Sequence, residues 1–313
     1  MEPGSNIKTA SGKNFNKDFM KKRKMKDNIM GYIFLAPALI CFIFFIGGPI
    51  ILSAILSFFS YNLIQAPVFA GLENIKRMSS DSLVIGSFKN TFKFLLILSP
   101  MHCILGLVLA YFVHRVKRLQ FFFRSVIYFP TIVTTASVAI AWAYIFSTDF
   151  GVINYFIRFF GGENIPWLTN SFWVYVTIAL FSFWKFIGTT FLYYFIGLQN
   201  IPDVYYEAAQ IDGAGSFRTF FNISLPLLTP TMFFVFVINV IGVIQIFDEP
   251  FLLTRGGPGR ATMTVAYGIY ERAILEMKIG YGITISFVLF LIILCITFLQ
   301  FAGQRKWVNY DYE

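Results

Sequence analysis

The chain has 313 residues, of which 57% are hydrophobic and 13% charged, and its mean hydropathy is +0.68. Soluble domains carry about 25% charged residues, so a water-soluble globular fold is excluded as the main architecture and lipid is the expected solvent. The formal net charge of +9 is weighted to residues 8–26, where Lys21, Lys22, Arg23 and Lys24 directly precede the first apolar run; that position marks a membrane-topology signal, not a nucleic-acid surface.

The first apolar stretch, residues 32–59, is far longer than the roughly 7–15-residue core of a signal peptide. It reads as an uncleaved span interrupted at Gly47-Gly48-Pro49. Segments 91–113, 122–147, 172–197, 228–250 and 282–302 follow. Each reaches the roughly 20 mainly apolar residues that a membrane helix needs, so six spans are predicted. Pro37, Pro49, Pro100, Pro130 and Gly188 are expected to kink them, which lipid tolerates only where neighbouring helices or water satisfy the freed backbone groups. Cys41, Cys103 and Cys295 all fall inside apolar runs, without metal-like or disulfide-like spacing, and read as buried hydrophobes. With the N-terminal tail inside, 15 Lys and Arg fall on its side against 9 in the outer loops, a bias supplied largely by the tail, which puts both termini in the cytoplasm. The organisation expected is a basic tail (1–30), a six-span domain (31–303) and a short C-terminal tail (304–313).

Between the fourth and fifth spans, and therefore in the cytoplasm, lies a polar segment within residues 200–230 that predicts two short helices and a bend. Asn200 is the candidate N-cap, Pro202 fits a first turn, and Asp203 places a carboxylate where a helix dipole favours one. Gly213-Ala214-Gly215 permits a sharp turn. Phe217, Phe220, Phe221, Ile223 and Leu225 make a second, amphipathic piece, and Pro226 and Pro230 bend the chain back towards the membrane. With Ala208 and Ala209 on a helix face beside the Glu207 carboxylate, the segment suits insertion into a partner's groove; a merely interfacial helix is the alternative.

Glu207-Ala208-Ala209, Asp212-Gly213-Ala214 and Ile223-Ser224-Leu225-Pro226 stand at the spacing of the EAA signature. On them the chain resembles the permease subunits of bacterial ATP-driven, binding-protein-dependent importers. Asn90-Thr91, Gly106 to Ala110, Arg124 with Phe129-Pro130, Trp184-Lys185, Leu198 to Pro202, Leu253 to Pro258 and Ile269-Tyr270-Glu271 are similar to the carbohydrate-uptake, maltose and glycerol-3-phosphate group. The resemblance implies an all-α, six-helix type I ABC importer permease in the bacterial cytoplasmic membrane. It implies that the EAA loop, through Glu207, Ala208, Ala209, Asp212, Gly213, Ala214, Leu225 and Pro226, couples to the ATPase. The partners implied are a second permease subunit, two ATP-binding subunits holding ATP and Mg, and an extracytoplasmic solute-binding protein, either periplasmic or lipid-anchored. The cargo implied is a sugar or oligosaccharide. Arg255 departs from the family pattern, occupying a position before Gly256-Gly257-Pro258 that is often small, and Glu249 adds charge to the fifth span.

Lys185 is the basic residue nearest the middle of a span. A charge there costs about 2.5–3.5 kcal/mol to insert and faces the bundle interior or water, so the substrate pathway and a structural ion pair are both open to it. Asn239, Gly242, Gln245, Ile246 and Glu249 share one face of the fifth span, either lining a pathway or bonding between helices. Trp184 and Tyr193 are further pathway candidates, since sugars are held by aromatic faces with amide and carboxylate partners. His102 and His114 show no ligand-like company. Arg255 and Arg260 flank Gly256-Gly257-Pro258 at the outer mouth, where a binding protein or solute would arrive. The arginines suit an acidic oligosaccharide, whereas Asp248 and Glu249 suit a neutral, hydroxyl-rich one.

No G-x-x-x-x-G-K-[ST] sequence occurs, so the chain carries no P-loop for ATP phosphates; no cofactor is expected in this chain, and hydrolysis would reside in another polypeptide. Neither an H-E-x-x-H motif nor a carboxylate pair points to an enzyme. An ion-coupled secondary transporter remains the alternative function, against which stand the docking-like loop and the absence of an evident internal inverted repeat.

Overall fold

The computed structural model describes the backbone of residues 9–309. The chain divides after Leu56 into two compact units, taken in turn. The first is one membrane-length helix, built from α1 (Thr9–Phe42), a π turn (Ile43–Gly47) and α2 (Gly48–Leu56), with Asn28–Leu56 as its apolar part. The interruption expected at Gly47-Gly48-Pro49 is only this turn. The Gly48 N–H bonds to Ile43 O, five residues back, and Gly48 keeps helical dihedrals, so the helix absorbs Pro49 by widening one turn. The helix also runs through the expected tail boundary at residue 30. The basic side chains up to Lys24 lie outside the described residues, as do residues 310–313 of the C-terminal tail.

The second unit opens on a two-stranded antiparallel hairpin, β1 (Phe59–Ser60) and β2 (Val68–Phe69), paired Phe59 to Phe69. It continues through α3 (Glu73–Ser80) and the long α4 (Ser82–Arg115), α5 (Gln120–Ile132), α6 (Thr135–Ile145), α7 (Val152–Phe159) and α8 (Trp173–Gln199). The polar segment forms α9 (Asp203–Ile211), α10 (Ser216–Thr219), a π turn and α11 (Leu225–Leu227). Then come α12 (Thr229–Ile244), α13 (Val265–Tyr270) and α14 (Ile279–Gln304). α4, α8 and α14 are each long and apolar enough to cross a membrane. Gln120–Ile132 with Thr135–Ile145 forms a span bent by 95°, and Ser216–Leu227 meets Thr229–Ile244 at 67°. With Asn28–Leu56 these make four helices of membrane length in a mostly helical protein, and the six predicted spans where each bent pair counts as one.

Of the expected kinks, the one near Pro130 is a full break, at Val133-Thr134. Pro100 and Pro37 sit inside unbroken helices. Gly188 bends nothing: α8 is continuous there, and the residue lets α8 touch α5. A Cβ at Gly188 would stand 2.8 Å from Ile127 O and 2.9 Å from Tyr128 Cα, so only hydrogen fits between the backbones. Gly106 does the same between α4 and α8, where a Cβ would meet Thr190 Cγ2 at 2.6 Å. Phe94, Leu98, Ile178 and Phe181 form one buried cluster between these helices, and Phe191, Tyr194, Phe195 and Leu198 a second nearer the polar segment. Cys41 and Cys295 are exposed and Cys103 half-buried, so the expectation of buried thiols is corrected; on a membrane helix an exposed apolar residue meets lipid at no cost.

Polar side chains fasten the loops at the end of α4 that begins with Asp81. Asn90 donates to Arg260 O (2.9 Å) and Met263 O (3.1 Å), and the Thr91 hydroxyl accepts from Val265 N (2.9 Å). Arg272 donates to both oxygens of Asp81 (2.8 and 2.7 Å), and the Tyr281 hydroxyl joins them at 3.0 Å. Burial alone would raise the Asp81 carboxyl, but the hydrogen bonds from Arg272 and Tyr281 hold it below its ordinary value. In the 148–167 loop the fully buried Asn154 uses both ends of its amide, on Thr148 O, Ile165 O, Ile165 N and Trp167 Nε1.

Candidate functional site

Two features stand apart from the rest of the packing: a largely apolar cavity within the bundle that several polar side chains edge, and the polar segment at the Arg115 end of α4. The cavity, about 400 Å³, opens between α4, α8, α12 and the chain just beyond α12. Helical periodicity explains its lining. On α8, Ser182, Phe186, Thr189, Thr190 and Tyr193 fall on one stripe; on α4, Leu98 and His102 are one turn apart; on α12, Asn239, Gly242 and Val243 share a face. The helix then ends at Ile244, and Gln245 to Glu249 wind around the cavity's edge.

Asn239, Gly242, Gln245, Ile246 and Glu249 therefore line one space, as their spacing predicts, although α12 stops before the last three. Tyr193 lines it too, its ring edge-on to Phe234 at 5.2 Å. Asn239 donates to Thr190 Oγ1 at 3.3 Å and to Val235 O at 2.9 Å, so it also ties α12 to α8. Glu249 is buried, while Gln245 and Asp248 are exposed. Two aromatic walls with two amides, two carboxylates and several hydroxyls give a space that exchanges hydrogen bonds with a hydroxyl-rich solute.

Two pathway candidates are placed elsewhere. Trp184 stacks in an aromatic group with Trp142, at 5.7 Å, and does not line the cavity. Lys185 is buried and faces the break between α5 and α6. Its ammonium donates to Pro130 O (2.8 Å), Thr131 O (3.0 Å) and Val133 O (2.6 Å), which uses all three of its donors. Carbonyls at a helix end have no intrahelical donor, and α5 ends beside the buried Lys185. Lys185 therefore closes that end, complementing its negative dipole, and Thr131 Oγ1 returns a bond to Lys185 O at 3.2 Å. The direct hydrogen-bond partners of Lys185 are thus the carbonyls of a helix terminus.

Ser182 and Thr189 line the cavity without having been singled out from sequence; Asp248, weighed there only as a charge, and His102 line it too, and His102 does have company: Nε2 stands 3.5 Å from Ser182 Oγ. The signal was periodic. His102 lies eleven residues from Thr91, three turns along one face, and Ser182 stands eleven from Tyr193.

At the other feature, α9 begins at Asp203 with its carboxylate in the first turn. Asn200 is the C-cap of α8, not the expected N-cap of α9; Pro202 holds that place without a side-chain bond. Gly213 turns the chain at φ +69°, the left-handed region that costs other L-residues about 1–2 kcal/mol, and Ala214 N closes the turn on Ala209 O at 2.9 Å. Glu207, Ala208, Asp212 and Gly213 are exposed, whereas Ala209 is buried against its own chain, so Ala208 alone of the pair is open to a partner. Ala214, Leu225 and Pro226 are half-buried and support the loop from within. Ile211 is 87% and Phe217 78% exposed, a pair of apolar tips on a polar segment. Burial pushes the Tyr206 hydroxyl up, and it lies 3.2 Å from Ser224 Oγ, joining α9 to the returning chain.

Arg255 and Arg260 are exposed, both with left-handed backbones (φ 49° and 66°), in the loop that Asn90 and Thr91 hold. Arg260 stands 3.8 Å from Glu271. Neither arginine reaches the cavity.

Residues 103–308 match the family described as binding-protein-dependent transport system inner membrane component. The chain is 36% identical to the probable ABC transporter permease protein YesP of Bacillus subtilis (strain 168), over 94% of this chain and 97% of that protein. It is 32% identical to the lactose transport system permease protein LacF of Rhizobium radiobacter, over 89% and 95% respectively. In fold it resembles a chain of a bacterial ABC transporter involved in the import of the acidic polysaccharide alginate, with a TM-score of 0.77, 22% identity, and coverage of 93% of this chain and 100% of that one. The family match spans more than half of the sequence and the relatives nearly all of it, so this chain belongs to the inner membrane components of binding-protein-dependent transport systems, and is a permease subunit of an importer rather than an enzyme.

Proposed function

We propose that this permease passes a sugar or oligosaccharide from an extracytoplasmic solute-binding protein across the bacterial cytoplasmic membrane, with both termini in the cytoplasm. In this reading α9 to α11 dock on one of two partner subunits that bind and hydrolyse ATP with Mg, and a second permease completes the pathway. The observation that carries the docking role is the exposure of Ile211 and Phe217 beside Glu207 and Ala208 on a segment tightly turned at Gly213. Apolar tips in an aqueous loop find their stability in a partner's groove. Tyr193, Asn239, Gln245 and Glu249, with His102 and Ser182 added, are the proposed pathway groups of this half; Arg255 and Arg260 are proposed to meet the binding protein or the arriving solute. Relatives named for lactose, sulfoquinovosyl glycerol and sn-glycerol-3-phosphate span neutral and anionic solutes. Among the described residues no Lys or Arg lines the cavity, which favours a neutral, hydroxyl-rich solute here.

The test is solute-stimulated ATP hydrolysis by the assembled complex with its binding protein, using neutral and uronate-bearing oligosaccharides. Stimulation by neutral oligosaccharides is expected. Stimulation by neither class, with a phosphorylated polyol active instead, overturns the oligosaccharide reading. Selective loss of an acidic ligand's effect in Arg255→Ala would assign the outer arginines to solute; equal loss for both classes would assign them to the binding protein.

A further inference from the structure

α4 reaches every part of the machinery described above. Its first residues hold the loops around Arg260, Met263 and Arg272 through Asp81, Asn90 and Thr91. Its middle lines the cavity with Leu98 and His102. Its last turns grip the polar segment: the Tyr111 hydroxyl donates to Ser216 O at 3.1 Å, and Arg115 Nη2 donates to Ser216 Oγ. The Tyr111 ring packs on Phe220 at 4.4 Å, and the Arg115 guanidinium lies over the Tyr111 ring at 5.5 Å. At 34 residues, α4 is about 50 Å long, an unbroken rod between two loop systems at its opposite ends.

The polar segment is covalently continuous with α8 on one side and α12 on the other, two of the three helices that wall the cavity. α4 is the third, and its side-chain hydrogen bonds to the segment come from Tyr111 and Arg115. We infer that the Tyr111–Arg115–Ser216 contact is a latch that makes α4 move with the docking segment, so that one displacement at α10 repositions all three cavity walls and the outer loops hung on α4. Tyr111 and Arg115 are thus positioning residues for coupling. They touch neither the cavity nor the exposed tips of the loop. The contact combines a neutral hydrogen bond, a bond from a charged donor and an aromatic stack, which together resist separation better than any one of them. Linkage requires that what the latch transmits outward it also transmits inward: solute arrival at the outer loops and cavity biases the docking segment through the same rod.

This inference rests on the proposed importer function, and its test separates the two. The full complex is assembled with its binding protein and probed with the panel of neutral and uronate-bearing oligosaccharides, reading ATP hydrolysis with and without solute. Tyr111→Phe with Arg115→Ala should leave subunit stoichiometry and unstimulated hydrolysis intact. The stimulation should fall by about three- to tenfold, the range that one or two hydrogen bonds can sustain. In a background with Cys41, Cys103 and Cys295 replaced, Arg115→Cys with Ser216→Cys should show the same deficit when reduced and regain stimulation when bridged by a short bis-methanethiosulfonate reagent, which forms a disulfide with each thiol and releases methanesulfinate. A bridged complex that hydrolyses ATP but no longer responds to solute would overturn the latch, since α4 and α10 would then have to part during the cycle. Unchanged stimulation in the Phe/Ala variant would overturn it as well. A native complex that no sugar stimulates but a phosphorylated polyol does would overturn the sugar reading alone, and the same variants then test the latch with that solute.

Discussion

A lysine in the middle of a membrane helix is costly unless something specific receives its charge, and Lys185 meets three carbonyls at the end of α5. Removing the ammonium leaves those carbonyls without donors, at about 1–3 kcal/mol for a buried polar group so orphaned. Lys185→Met should therefore lower the thermal midpoint of the purified complex. Lys185→Gln should do so less, and neither should change which sugars stimulate hydrolysis. An altered sugar preference without loss of stability would return Lys185 to the pathway. Gly213 is fixed by backbone conformation, since a Cβ there meets nothing within 4 Å and only its φ excludes side chains. Gly213→Val should disrupt the turn and weaken coupling, while Gly213→Asn, which tolerates the left-handed region, should retain most of it; equal behaviour of the two would refute the conformational explanation. Asp81 has a depressed carboxyl pKa, so its stabilisation is present above the unfolded value of about 3.9 and disappears as pH falls through the lower folded value. Stability of the native protein minus that of Asp81→Asn should be constant between about pH 5 and 8 and vanish in strong acid; a difference that shrank already near pH 6 would contradict the Asp81–Arg272 assignment.

At the scale of elements, sequence and structure agree where a single period or a local motif governs. The four membrane-length helices and the two bent pairs were legible as six apolar runs, and the bend at 213–215 from its glycines. The polar stripe of α12 was legible from Asn239 and Gly242, although the helix stops at Ile244 and the chain carries Gln245 and Glu249 to the cavity by winding. What the sequence hid depends on partners distant along the chain. The role of Lys185 is invisible until α5 breaks beside it. Gly188 looks like a helix breaker until α8 packs against α5, and Ala209 looks exposed until its face of α9 is known. His102 seemed unaccompanied because Ser182 is 80 residues away. The docking role of α9 and α10 predicts that Glu207→Lys leaves the permease inserted but weakens its association with the ATPase subunits. Co-purification measures this, and native stoichiometry with native solute stimulation would refute it.

For the whole molecule, orientation follows from the two loop systems at opposite ends of α4. Single cysteines at Ser79 and Gln210, both exposed positions, should react with a membrane-impermeant maleimide from opposite sides in intact cells, Gln210→Cys only after the cytoplasm is opened. Labelling of both from outside would reverse the topology and remove the docking segment from any ATPase. The central claim is that solute movement through this chain is driven by ATP hydrolysed elsewhere and transmitted through residues 203–226. Uptake of radiolabelled oligosaccharide into proteoliposomes containing the whole complex and binding protein tests it most directly, with ATP and Mg supplied on the ATPase side or, alternatively, proton or sodium gradients imposed without nucleotide. The account predicts uptake with ATP alone, lost in Glu207→Lys while the permease remains in the membrane. Uptake driven by an ion gradient without ATP, and undiminished by Glu207→Lys, would contradict it.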